Sequence, residues 1–99
     1  MDKKEVVSKL LHYKLLLANY FELDRLILFG SYATGTNKES SDIDVAVIVK
    51  NVDNDFFKDT PLLWKLRREI DDRIEPILFE KGKDSSGFLA EIIKTGVEI

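Results

Sequence analysis

Apolar residues in the first segment recur every three or four positions, at Val6, Leu10, Tyr13, Leu17 and Tyr20. That is the period of a helix with one face on a core. Asp2 followed by Glu5 has the form of a capping box, so the pattern predicts an amphipathic helix over residues 3–22. The period then breaks. Arg25 to Phe29 is a short run dense in Leu and Ile and closed by Gly30, which suits a buried strand better than so short a helix. After a polar stretch, Asp42 to Val49 opens with two carboxylates and continues in apolar, mostly β-branched residues, the composition of a central strand.

Residues 50–59 are polar with Phe56 and Phe57 embedded, and Thr60-Pro61 has the form of an N-cap and first helical residue, predicting a helix to about Arg73. Ile74 to Glu80 reads as a third strand, which Pro76 places at an edge or a bulge. Residues 81–86 read as a loop, Phe88 to Lys94 as a short helix, and Gly96 as its stop. No repeat or low-complexity tract interrupts this order. It predicts a small mixed α/β sheet covered by helices, in a single domain over residues 1–99, with strand directions open.

Composition narrows the chemistry. Cysteine is absent and His12 is the single histidine, which excludes disulfides, thiolate zinc, cysteine nucleophiles and multi-histidine metal sites, so any metal must be held by oxygen. Fifteen basic against eighteen acidic residues, a net charge of −3, argue against broad adhesion to nucleic acid or to an anionic membrane. Charged residues interrupt the N-terminal segment, so neither a signal peptide nor a membrane span is predicted and a cytoplasmic location is expected. Tyr13, Tyr20, Phe56, Phe57 and Trp64 are expected in the core. Lys65, Arg67, Arg68 and Arg73 are expected on a solvated face, paired with Glu69, Asp71 and Asp72. His12 is assigned no role.

Asp42 and Asp44 lie two apart at a strand entrance, so both carboxylates share one face with Cα atoms about 7 Å apart. Their repulsion reverses to attraction around a divalent ion such as Mg²⁺, which takes one or two carboxylates and accepts phosphate oxygens. Alone, Asp-x-Asp is more often a solvated pair at a strand entrance or part of a Ser-Asp turn, because the pattern is short and common. Upstream, Gly30 and Ser31 follow a buried strand and Gly35 closes the segment. Backbone amides there can approach phosphate without a Cβ in the way, the Ser31 hydroxyl adds a donor, and a helical turn starting at Ser31 would add free N–H groups. The specific signal is the glycine-serine turn with an acidic strand twelve residues later.

The run Gly30-Ser31-Tyr32-Ala33-Thr34-Gly35 with Ser41-Asp42-Ile43-Asp44 resembles the signature of the polymerase-β-type nucleotidyltransferase superfamily, in its smallest, stand-alone form. The resemblance implies that Gly30 and Ser31 contact a triphosphate, while Asp42 and Asp44 bind the Mg²⁺ or Mn²⁺ that bridges it and align the attacking hydroxyl. It also implies a third carboxylate from a neighbouring strand. Glu75 is the candidate, at a position where the family typically has aspartate. Thr34 departs as well, standing where many small relatives carry arginine. By this resemblance the chain transfers a nucleoside monophosphate from an NTP, with ATP the expected donor, to a hydroxyl. Among small members that hydroxyl is often a tyrosine of a helical HEPN-type ribonuclease toxin for which the domain is the antitoxin. Such chemistry rests on positioning and charge neutralisation and needs no histidine or cysteine. A second reading is a module that binds nucleotide or a helical partner with little or no turnover. Self-association is left open.

Overall fold

Where the first helix stops decides how the chain enters its sheet. In the computed structural model, which describes the backbone at residues 1–52 and 56–99 and side chains at 1–52 and 58–99, helix α1 spans Lys3–Leu17. Asp2 Oδ1 accepts the Glu5 N–H at 2.8 Å, and Val6, Leu10, Tyr13 and Leu17 form the buried stripe. The helix is shorter than the predicted 3–22. The N–H groups of Asn19 and Tyr20 tighten onto the carbonyls of Leu16 and Leu17 and turn the chain into strand β1, Leu23–Phe29. Tyr20, expected in the core, therefore falls beyond the helix and is 54% exposed.

A single helical turn, α2 (Ser31–Thr34), leads to β2 (Ile43–Val49). The next helix differs from expectation at both ends: α3 spans Phe56–Leu66, with Pro61 inside it rather than at its first turn. Pro61 removes one backbone hydrogen bond, but it lies on the exposed side while Leu63 and Leu66 are buried against the core. A 3₁₀ turn, Arg67–Glu69, follows. The chain cannot run on helically to Arg73, whose N–H is taken by Asp71 Oδ1 at 2.8 Å, a local side-chain bond that competes with the helix. The predicted core placement of Phe56 and Phe57 lies outside the described side chains.

Strand β3 is Ile74–Glu80, helix α4 is Phe88–Thr95, and a two-residue strand, β4 (Val97–Glu98), was not expected. The sheet order is β3-β2-β1-β4, with β2 parallel to β3 and antiparallel to β1, and β1 antiparallel to β4. One face, carrying Leu26, Leu28, Val45, Val47, Ile74 and Leu78, packs on α1 and α3. The other, carrying Ile27, Ala46 and Ile48, packs on Leu89 and Ile92 of α4. Burial on both faces explains why β2 is continuously apolar instead of alternating.

Pro76 sits on the edge strand, as its chemistry requires. The Lys81 N–H donates to Val49 O at 2.8 Å, so by alternation the backbone nitrogens of odd-numbered β3 residues face β2 and that of Pro76 faces outward. Gly96 does end α4, but in extended backbone (φ −86°), not a left-handed cap. Its small size is needed because a Cβ there would lie 2.6 Å from Ile27 Cγ2 and from Ile92 O, and 2.7 Å from Leu28 O.

Around α3 the charge pattern is only partly the expected solvated face. Lys65 and Arg68 are exposed and Arg73 pairs with Asp71 at 3.3 Å, but Arg67 turns inward. Its guanidinium lies 4.5 Å from the centroid of the half-buried Trp64 ring and donates to the carbonyls of Asp72 and Ile74. Among the described residues no helix is long and apolar enough to cross a membrane.

Lys9 Nζ reaches Asp71 Oδ2 at 2.7 Å and ties α1 to the turn before β3. Burial alone would raise the Asp71 pKa, but hydrogen bonds from Lys9 and from the Arg73 backbone and side chain bring it down to about 2. A depressed carboxylate stabilises the fold above its unfolded pKa, and that share is lost as pH falls through the folded value. Urea unfolding should therefore show Asp71 contributing on the order of 1–2 kcal/mol near neutrality, lost between about pH 4 and pH 2, and Asp71→Asn should remove that part of the acid dependence. Identical acid profiles for the two proteins would rule the tie out.

Candidate active site

Strand β1 ends at Phe29, and Gly30 then adopts φ 74°, ψ −152°, a region open essentially only to glycine. The reason is across the sheet: a Cβ on Gly30 would run into Asp44 Oδ2. The Gly30 carbonyl accepts the N–H groups of Ala33 (3.1 Å) and Thr34 (3.2 Å), folding the signature into α2, and left-handed Gly35 (φ 78°) closes it. Tyr32 is fully buried and anchors the turn in the core. The Thr34 hydroxyl sits 3.3 Å from Gly30 O and 2.9 Å from Thr36 Oγ1, so the residue that departs from the signature braces the turn's own backbone. Ser31 is half-buried at the first position of α2. Amides at the start of so short a helix have no intrahelical acceptor and act as individual donors, not as the end of a large dipole.

Asp42 is exposed just before β2, and Asp44 is half-buried at its second residue. In the parallel ladder Asp44 is level with Glu75 of β3, and on its other side it is level with Phe29 of β1. Adjacent strands lie about 4.8 Å apart, so the two carboxyl groups are direct neighbours. The structure thus brings Asp42, Asp44 and Glu75 together on the sheet face that α4 covers, with Gly30 against Asp44.

Their electrostatics reflect that crowding. Burial raises the pKa of Asp44, a hydrogen bond with Glu75 partly offsets this, and the charge of Asp42 raises it further. Burial also raises Glu75, followed by the charges of Asp42 and Asp44 and by its close polar contacts with both. Among the described residues no group of three or more His, Cys, Asp or Glu side chains, Asp42, Asp44 and Glu75 included, is placed as a ready-made metal cage. The donor chemistry nonetheless fits a hard divalent cation. These are oxygen ligands whose mutual repulsion a dication removes, and Mg²⁺ fills its remaining positions with water and phosphate oxygens.

An aromatic wall borders the carboxylates. Phe88 of α4 meets Phe29 edge-on and Phe79 at a tilt, each with ring centroids 6.1 Å apart, and Phe88 and Ile77 remain exposed. Neither the glycine-serine turn nor the acidic pair marks these residues in the sequence. The period-two spacing of Glu75, Ile77 and Phe79 was the available signal, since it puts all three on one face of β3.

A mixed four-stranded sheet with a glycine-serine turn beside an acidic strand defines a nucleotidyltransferase fold. The sequence profile described as "Polymerase beta, Nucleotidyltransferase" matches residues 12–99, and the chain belongs to that enzyme family. Two proteins of Methanocaldococcus jannaschii are similar to it. "Putative protein adenylyltransferase MJ0141" is 38% identical over 82 residues, covering 79% of this chain and 80% of its own length. "Putative protein adenylyltransferase MJ1215" is 40% identical over 75 residues, covering 76% and 73%. Of solved structures, a nucleotidyltransferase-type protein from Sulfolobus solfataricus shares the fold, with a TM-score of 0.73 at 19% identity over 97% of this chain and 80% of that one. A chain of "the toxin-antitoxin with AMP-PNP" superposes with a TM-score of 0.64 at 26% identity, over 99% and 72%.

Proposed function

We propose that this domain transfers AMP from ATP to a hydroxyl of a helical, HEPN-type partner protein for which it is the antitoxin, in the cytoplasm. The observation that carries this reading is the convergence of Asp42, Asp44 and Glu75 beside Gly30. The similarity to the adenylyltransferase relatives and to the toxin-antitoxin with AMP-PNP supports the donor and the kind of partner. Gly30 and Ser31 would receive the triphosphate, and Asp42, Asp44 and Glu75 would hold Mg²⁺ or Mn²⁺. When bound, the metal neutralises charge on the attacking and leaving oxygens. The chain itself orients. The acceptor oxygen bonds to the α-phosphorus, the bond from that phosphorus to the bridging oxygen breaks, pyrophosphate leaves, and the hydroxyl proton passes to solvent.

Calorimetry with ATP should show binding with Mg²⁺ or Mn²⁺ and none in EDTA, because the bare carboxylates repel a triphosphate. Equal affinity in both buffers would discard the metal-bridged site. Glu75→Gln is expected to reduce transfer to the partner far more than it reduces Mg-ATP binding, since a long side chain at this position governs placement of the acceptor. Loss of both in equal measure would make Glu75 an ordinary metal ligand. The second reading, association without turnover, rests on glutamate standing where the family has aspartate. It requires that no label pass from α-labelled ATP to the partner.

A further inference from the structure

We propose that the pocket between the C-terminal end of α1 and the N-terminal half of α3 receives the guanidinium group of an arginine side chain on a partner protein. Its floor is Asp59, 8% exposed and the one charged residue buried among the described residues. No hydrogen bond or ion pair engages the Asp59 carboxylate among those residues, although a carboxylate this buried ordinarily has a partner. The position follows from the helix. Asp59, Leu63 and Leu66 fall at i, i+4 and i+7, so a carboxylate takes a place in the buried stripe that an apolar residue would fill.

What Asp59 faces is a cavity of about 230 Å³, also lined by Asn19, Tyr20, Glu22 and Asn51. The two charged groups among the described lining residues, Glu22 and Asp59, are both negative. Asn19 donates its amide to Leu15 O at 3.5 Å, which leaves its side-chain oxygen as an acceptor, and the end of α1 adds partial negative charge. The complement is a cation. A bare metal ion is a poor match, because two carboxylates do not make a three-ligand set and the cavity has room for several waters. Guanidinium fits better than ammonium: it is planar, weakly hydrated, donates to several acceptors at once and lies favourably on an aromatic ring. Tyr20, exposed beyond the end of α1, supplies that ring.

The pocket is separate from the carboxylate cluster. Glu22 leads into β1 and Asn51 follows β2, whereas Asp42 and Asp44 stand at the start of β2, about 20 Å away along a seven-residue strand. A partner held here is gripped at the end of the sheet remote from the transfer site.

The test is an amide NMR titration of the full chain with N-acetyl-arginine amide. Saturable shifts are expected at Tyr20, Glu22 and Asn51 with a millimolar Kd. N-acetyl-citrulline amide, the neutral isostere, should produce none. Asp59→Asn should weaken binding by about tenfold or more, and Tyr20→Ala, at an exposed position that cannot upset the core, by several-fold. No saturation with the arginine probe, equal binding of citrulline, or affinity unchanged in both variants would overturn the proposal. So would two other results: Ca²⁺ saturating the same amides where the arginine probe does not, or free arginine binding far more tightly than the capped form.

Discussion

Asp42→Asn combined with Asp44→Asn is expected to abolish nucleotidyl transfer, a loss of about 10³-fold or more, without lowering the melting temperature in metal-free buffer. A factor of that size is about 4 kcal/mol of barrier, within what charge neutralisation at a phosphoryl centre supplies. Stability should hold or rise because the native pair is held under repulsion, with Asp44 shifted upward by burial and by the charge of Asp42. Thermal melts in EDTA, alongside transfer of label to the partner, separate the two effects. A large drop in melting temperature without metal would mean that the aspartates support the fold.

Gly96→Ala is expected to cost about 3 kcal/mol in urea unfolding, at the upper end for overpacking. Backbone geometry is not the cause, since φ −86° suits any residue. The cause is the space. Of the three atoms that a Cβ would meet, two are backbone oxygens, and Ile92 O also accepts the Gly96 N–H at 2.7 Å, so neither can swing aside. Relief would have to pull α4 or β4 away from β1. Gly35→Ala is the control: it has a positive φ but nothing within 4 Å of the added Cβ, and should cost only about 1 kcal/mol. Comparable unfolding of Gly96→Ala and the unaltered protein would show that the helix end is soft.

The two changes bear on different kinds of legibility. The turn and acidic pair span fifteen consecutive residues, and a local signature of that kind is readable because spacing and side-chain type carry it. Strand β3 was equally plain, with Pro76 indicating an edge. The neighbour relation between Asp44 and Glu75 was not readable, since it depends on β2 and β3 running parallel in register across thirty-one residues of chain. Long-range pairing also hid β4, too short to show a period, and the aromatic wall assembled from β1, β3 and α4. Helix ends failed for a different reason. Side-chain bonds and 3₁₀ tightening at Asn19, Tyr20 and Asp71 outweighed patterns that ran on past them.

The outward edge of β3 has a bearing on how copies of this protein can meet. A seven-residue margin strand with Ile77 exposed would ordinarily template a strand from another chain and begin an intermolecular sheet. Here the outward nitrogens belong to Ile74, Pro76, Leu78 and Glu80. Ile74 has already given its N–H to Asp71 O at 3.2 Å, and Pro76 has none to give. A foreign strand would find donors only at the far half of this edge. Main-chain pairing is thereby hindered along the first half of β3, so association at that part of the edge has to be built from side chains.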